Sequence, residues 1–543
     1  MGSATAASRP AGRRMPSPAE RRVALRLLQA GAIAVVLAAA PYKTFDLDRF
    51  FVPKELVLSV TALVVTLLCL ARVKRASLGR VDQLLALWLL LGAASALFAT
   101  NWWLAERAVA ISLGGAACFW CARTLARAGH SRALVAALAL AGVVGAATAL
   151  LQAYGVRTEF FSLNRAPGGT FGNRNFMAHL CVITLPALLF SGLRAPTRTS
   201  LMRWSGGLAL VAGALILSRS RAAWLALVVG MLVLLVAGAI ALRGRDATLK
   251  PARLVVLCLA AVAGAGAALV IPNTLDWKSD SPYADTAQGL VNYKGGSGHG
   301  RLVQYGNSLK MTLHHPLLGV GPGNWAVVYP RFASENDPSL GQDGMTSNPW
   351  PSSDLVTFLS ERGPVALGLI ALAMLALLAD GLRGLRGGPD TETRVAAAVL
   401  LATVMVLVVV GAFDAVLLLP IPALVGWSLL GALAAPSRER QVIEVRLPRR
   451  LLAVACVAVL GGLVVARSGT QLLAMSLYAT SSKASVLERA SALDPGSYRI
   501  HARLAQLYLG RGDCTRSKVH ASAARRQFPS SPAARRLLAA CGG

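Results

Sequence analysis

Apolar stretches long enough to cross a bilayer recur along almost the whole sequence, and no other feature constrains the fold as much. A membrane-spanning helix needs roughly 17–25 apolar residues. Runs of that length lie near 23–41, 55–71, 82–99, 107–124, 132–152, 177–193, 201–218, 222–242, 253–271, 364–382, 395–412, 415–435 and 451–467. Hydrocarbon offers backbone amides no outside partner, so such runs must be helical. The expected fold is an all-α polytopic membrane protein of about 13 transmembrane helices. Composition agrees, with 55% hydrophobic and only 15% charged residues, too little charge for a soluble chain of this length.

The net charge of +30 raises the question of nucleic acid. The basic residues sit in short clusters between apolar runs rather than along one face of a domain, which is the positive-inside pattern, and nucleic acid is excluded as a partner. The clusters are "ARVKRASLGR", "ARTLARAGHSR", "RAPTRTSLMR", "RGRDATLKPAR", "RGLRGGPDTETR" and "SRERQVIEVRLPRR". With thirteen spans and residues 1–22 as a disordered, basic, cytoplasmic N-terminus, all six fall on one side. The membrane domain is then 23–467, with a large extracytoplasmic loop at 272–363. Residues 468–543 form an extracytoplasmic tail. Six cysteines lie in or beside apolar runs and read as small hydrophobes, the pair Cys118 and Cys121 included.

The tail differs in kind. "LDPGS" and "FPSSP" are spaced close to the tetratricopeptide period of about 34 residues, and "LAQLYLGRGD" resembles that repeat's helix and turn. A small α-helical repeat domain is expected, leaning on the membrane domain or on a protein partner. Cys514 and Cys541 either pair as a disulfide or remain two free thiols.

Given this sidedness, basic residues in outward segments stand out. They are Arg157, Arg165, Arg174, Arg219 and Arg221. "LILSRSRAAWLAL" leaves almost no loop around the last two, and a cation this near hydrocarbon must be paired, hydrated or snorkelling. As a group they suit an anionic ligand, since guanidinium forks match phosphate oxygens in pairs. "GGTFGNRNFMAHL" supplies Gly168, Gly169 and Gly172 for close backbone approach, with Asn173 and Asn175 as donors at the start of a helix whose free N–H groups would face the ligand. The competing account is an ordinary glycine turn capped by Asn175. His179, one turn into the span, reads as a satisfied core histidine.

In the outer loop, "GRLVQYGNSLKMTLHHPLLGVGPGNW" as a helix puts Arg301, Tyr305 and Ser308 on one face. "GVGPGNW" is no dinucleotide loop, because Pro322 and the absent βαβ context oppose it. Asp354 and Glu361, seven apart in "SSDLVTFLSERGPVAL", can share a helical face at the membrane boundary. Asp354 is a candidate general base, and helix capping through Ser352 or Ser353 is the alternative.

These four motifs, "LSRSRAAWLAL" included, come in an order that resembles the O-antigen ligase/polymerase superfamily of bacterial polytopic membrane glycosyltransferases over roughly residues 80–435. That resemblance implies a fold of the glycosyltransferase type C kind in the bacterial inner membrane. It implies an undecaprenyl-diphosphate-linked glycan donor, a glycan or lipid acceptor, inversion at the anomeric carbon, and chemistry without cofactor or metal. Arg219 and Arg221 match the family's arginine motif, and Arg174 its "GN.N" motif. The family's last motif usually reads His-Asn-Asp, whereas this chain has Ser352-Ser353-Asp354 and no histidine from 316 to 500. Either Asp354, the preferred candidate, or Glu361 takes the base role, or a loop histidine among His299, His314 and His315 reaches in, or activity is altered; a polymerase is favoured over a lipid A-core ligase. A transporter or flippase of a lipid-linked anion, and an inactive scaffold that recruits partners through the tail, are the competing classes.

Overall fold

The computed structural model describes residues 19–542 apart from 46, 72, 74, 163–164, 243–250, 278, 280, 289–295, 342 and 435–440. Up to residue 18 the expected disordered N-terminus lies outside the described residues. Residues 19–22 correct that expectation: they are the first turn of α1 (Ala19–Leu37), where "AERR" follows the last proline and consists of good helix formers.

Every predicted span falls on a helix. After α1 come α2 (Asp48–Leu70), α3 (Arg80–Ala96), α4 (Trp102–Leu125), α5 (Ser131–Ala153), α6 (Arg174–Leu193), α7 (Arg198–Ser218), α8 (Arg221–Ala241) and α9 (Pro251–Val270). The loop region contributes α10 (Pro282–Gln288), α11 (Gly296–His314) and α12 (Trp325–Val328), and the membrane part resumes with α13 (Asp354–Gly387), α14 (Thr391–Phe413), α15 (Pro420–Leu433) and α16 (Leu447–Thr480). Among the described residues, nine helical segments are long and apolar enough to cross a membrane. One of them, Trp102–Ala153, contains both α4 and α5, which meet at a kink where Gly129 has φ 91°. Three predicted spans fall outside those nine: α1 has a charged first turn, while α3 and α15 have only 17 and 14 residues.

Contacts sort the loops into two ends. At one end all six basic loops are linked. Strand β1 (Arg75–Leu78) pairs antiparallel with β2 (Gln441–Glu444), Ala76 opposite Ile443. Arg127 donates to Ser77 at 2.8 Å, Arg132 and Arg194 both grip Glu392, and Arg253 donates to the Leu193 carbonyl at 2.9 Å. At the other end, Lys43 pairs with Glu159 at 2.9 Å, and the Asn101 N–H donates to Asn324 at 2.7 Å. This is the grouping that the positive-inside pattern requires.

Small residues set the close approaches between helices, as expected where packing rather than water exclusion holds helices together. A Cβ on Gly264 of α9 would meet the Ala209 carbonyl of α7 at 2.1 Å, and one on Gly431 of α15 would meet the Phe119 carbonyl of α4 at 2.2 Å. The centre is filled by α6, α14 and α15, whereas α9 and α16 lie at the periphery. Helix α13 bends at Gly363 (φ 82°) and Pro364, so its first nine residues belong to the loop end.

The 467/468 boundary between membrane domain and tail lies inside one unbroken helix, α16. The apolar run simply passes into "SGTQLLAMSLYAT" without a breaker. Beyond it, α17 (Ala484–Leu493), α18 (Tyr498–Gly510), α19 (Cys514–Gln527) and α20 (Pro532–Ala539) form the repeat domain, and Cys514 and Cys541 are disulfide-bonded.

Candidate functional site

The arginines at the loop end do converge, around a residue the sequence did not single out. The Arg219 and Arg174 guanidinium carbons lie 4.7 and 5.7 Å from the centroid of the Trp277 ring. Both lie within the range of a cation–π contact. Arg219 adopts the left-handed conformation (φ 51°) as the cap of α7, and its Nε donates to Thr286 at 2.9 Å. The positive charges of Arg219 and Arg165 both act on Arg174. Partial burial depresses the pKa of Arg219, with Asp285 and Tyr283 acting in the opposite direction. Three cations are thus held together at one lip, an arrangement that an anion would relieve. Arg221 opens α8 half-buried, and Arg157 is exposed.

The glycine turn beside them is tightly built. A Cβ on Gly172 (φ 75°) would meet the Phe50 ring at 2.3 Å. Its amides are used internally: Gly169 N–H donates to Gln152 at 2.7 Å, Arg174 N–H to the Arg165 carbonyl at 3.1 Å, and Asn175 N–H to Asn173 at 3.0 Å. The cap of α6 is therefore Asn173, not Asn175, and these three N–H groups are not available to a ligand. What the turn contributes to the lip is the placement of Arg165 and Arg174.

The carboxylates have a different fate. Asp354 is buried at the start of α13 and accepts from Val416 N–H at 2.8 Å and from Leu417 N–H at 3.0 and 3.2 Å. Ser353 caps the helix, accepting weakly from Val356 N–H at 3.5 Å. Glu361, also buried, accepts from Gly323 N–H at 2.7 Å and Trp325 N–H at 3.1 Å, so it clamps "GVGPGNW" against α13. His314 is exposed, bonded to the Lys310 carbonyl at 2.9 Å and packed on Phe332; His299 and His315 are exposed as well. Tyr305 donates to the Ser352 carbonyl at 2.6 Å, and the charge of Arg301 reaches His179 rather than the arginine group.

His179 departs from its expected role. It is buried, but neither ring nitrogen has a hydrogen-bond partner, and its Nε2 only approaches Asp414 Oδ2 at 3.9 Å. An unsatisfied buried polar group costs about 1–3 kcal/mol.

A cavity of about 920 Å³ lies between the membrane helices, the loop and the tail. Of the predicted site residues it is lined by Arg165 and Glu361, but not by Asp354, His314, Arg174 or Arg219. Its wall also holds Arg107, which donates to Glu55 at 2.6 Å and Asp48 at 3.0 Å. Sequence reasoning passed over this triad. The available signal was charge at the ends of apolar runs, which hydrocarbon tolerates only where groups pair.

Fold and site together define a multi-pass helical membrane protein with a cationic lip and a polar chamber at its loop end. Residues 206–371 match the family model for O-antigen ligase, and residues 484–541 match that for the tetratricopeptide repeat. Three of the four motifs lie in the matched segment, and the match suggests a membrane enzyme of surface-polysaccharide biosynthesis with a glycosyltransferase-like reaction. Arg219, Arg221, Arg301, Tyr305, His314, Asp354 and Glu361 lie inside the matched region, whereas Arg165, Asn173, Arg174 and Asn175 precede it. The chain has no significant match among curated proteins.

Proposed function

We propose that the protein is an inverting glycosyltransferase of about 13 membrane crossings that polymerises or ligates undecaprenyl-diphosphate-linked glycan at the outer face of the bacterial inner membrane. The reading rests chiefly on Arg174 and Arg219 sharing one face of the loop end with Trp277, Arg165 beside them opening onto the chamber. The arginines hold the donor's diphosphate. An acceptor hydroxyl oxygen attacks the anomeric carbon from the opposite side as the carbon–oxygen bond to diphosphate breaks. The bonding pair leaves with the diphosphate, where the guanidinium groups stabilise it, and the hydroxyl proton passes to a base. Glu361 is the predicted catalytic side chain that lines the chamber. A carboxylate has about four lone-pair sites, so two backbone donors leave it room to accept a proton.

Deletion followed by gel analysis of surface glycan tests this. A polymerase leaves a single-repeat ladder, and a ligase leaves full-length lipid-linked chains unattached. Inner-leaflet accumulation would instead identify a flippase. One observation favours a second reading, a non-catalytic scaffold: Asp354 and Glu361 are both held by backbone N–H groups, and Ser352 stands where the family has histidine. Normal surface glycan in the deletion strain would support it.

A further inference from the structure

The repeat tail faces the membrane domain across the chamber rather than facing away from it. Tyr498, Ala502 and Gln506, spaced i, i+4 and i+8 on α18, line the cavity, with Arg499 and Arg503 one position further round. This spacing makes one continuous stripe of the helix into a roof. The roof is pinned on several sides. Arg467 of α16 donates to Asp494 at 2.6 Å and lies 4.8 Å above the Trp103 ring. Arg499 donates to the Thr44 carbonyl at 2.6 Å, and a Cβ on Gly496 would meet Trp103 at 2.2 Å. Trp103 and Trp350 also line the cavity, as do Glu361 and Arg165.

Resting on the function proposed above, we infer that α18 of the tail forms the acceptor site, and that the chamber takes an oligosaccharide. The chemistry of the lining carries this. Aromatic rings offer flat faces for the apolar side of a sugar, and Gln506, Asn348 and Gln471 offer paired donors and acceptors for hydroxyls. The guanidinium groups of Arg499 and Arg503 bond here to the Thr44 and Tyr478 carbonyls, and each has further N–H donors for sugar hydroxyls. A volume of about 920 Å³ is at the upper end of small-molecule sites, which run to roughly 1,000 Å³, and is ample for several sugar rings.

The test uses the full-length protein in lipid nanodiscs. The probes are oligosaccharides of one to three repeats, released from the host's surface glycan by mild acid, and a Ser/Thr-rich peptide. Ala502→Trp fills the chamber from the roof without removing a hydrogen bond, and Gln506→Ala removes one amide. The expected result is oligosaccharide binding, read by tryptophan fluorescence, that weakens at least ten-fold in A502W and a few-fold in Q506A, with unchanged melting of both variants. Equal binding by wild type and both folded variants overturns the inference, and so does A502W-sensitive binding of the peptide in place of the oligosaccharide. Arg219→Ala separates the two proposals. Normal surface glycan in R219A together with weakened binding in A502W defeats the arginine clamp on which the proposed function chiefly rests and leaves the sugar site standing; lost glycan in R219A together with unaltered binding in A502W does the reverse.

Discussion

Two groups of charges at the loop end are handled in opposite ways. At the start of α6 and the end of α7, Arg174 and Arg219 come together around Trp277 with like charges as neighbours. At α13, Asp354 and Glu361 are turned onto backbone N–H groups of distant turns. Charges gathered against repulsion store a preference for an anion, whereas charges spent on backbone donors hold loops in place. A motif residue is open to chemistry only in so far as the fold has not already used its polar atoms.

The contrast can be broken most sharply at Arg219. Arg219→Ala is expected to lower glycan transfer at least 100-fold, about 3 kcal/mol of transition-state binding, with melting unchanged or slightly raised. Intact transfer in membrane extracts would end the clamp idea. Next in size is Asp354→Ala, which strands the buried Val416 and half-buried Leu417 donors and should cost about 2–4 kcal/mol of stability, read as a fall in melting temperature and protein level. Asp354→Asn keeps an acceptor oxygen and should lose less than half of that. A D354N protein that melts normally but transfers nothing would instead make Asp354 the base. Glu361→Gln keeps one acceptor for the clamped loop, so an approximately 10²-fold loss of transfer at near-normal stability marks it as proton acceptor, and a pure stability loss marks it as a strut. The smallest effect belongs to His179→Met: removing an unsatisfied polar group from the core should leave stability unchanged or raise it by up to about 1 kcal/mol. A clear drop in melting temperature would show that the imidazole has a partner after all.

The tail provides a control in water. Its disulfide closes a separation of 27 residues, for which chain entropy predicts about 3–4 kcal/mol, so Cys514→Ala should loosen the roof and raise protease cleavage in the 484–541 region. His501, stacked on His520, has a pKa depressed by burial. Its folded form binds fewer protons than its unfolded form, so the tail should lose stability as pH falls below about 6.5, measured by thermal unfolding from pH 8 to 5.

Much of the architecture was legible because the signals were local. Apolar run length placed each of the thirteen predicted spans on a helix, and Lys/Arg asymmetry grouped the six loops that contacts now join. The arginines of the loop end were legible for the same reason, as exceptions to that asymmetry. The tail's inward stripe at Tyr498, Ala502 and Gln506 was not, because a helix face has no meaning until its neighbour is known. Trp277 and the Asp48–Glu55–Arg107 triad were missed because each depends on side chains arriving from other elements.

Sequence alone determined that this chain is a bundle of membrane-length helices with basic loops on one side, a guanidinium-rich lip on the other and a repeat tail, since run length, charge bias and repeat period are each read within a few dozen residues. Tertiary structure decided which polar atoms remain open. Asp354 is bound 62 residues away at Val416, and Glu361 38 residues away at Gly323. Hydrogen bonding is satisfied in space, and whether a carboxylate holds a turn or takes a proton is settled by which amide the fold brings within about 3 Å.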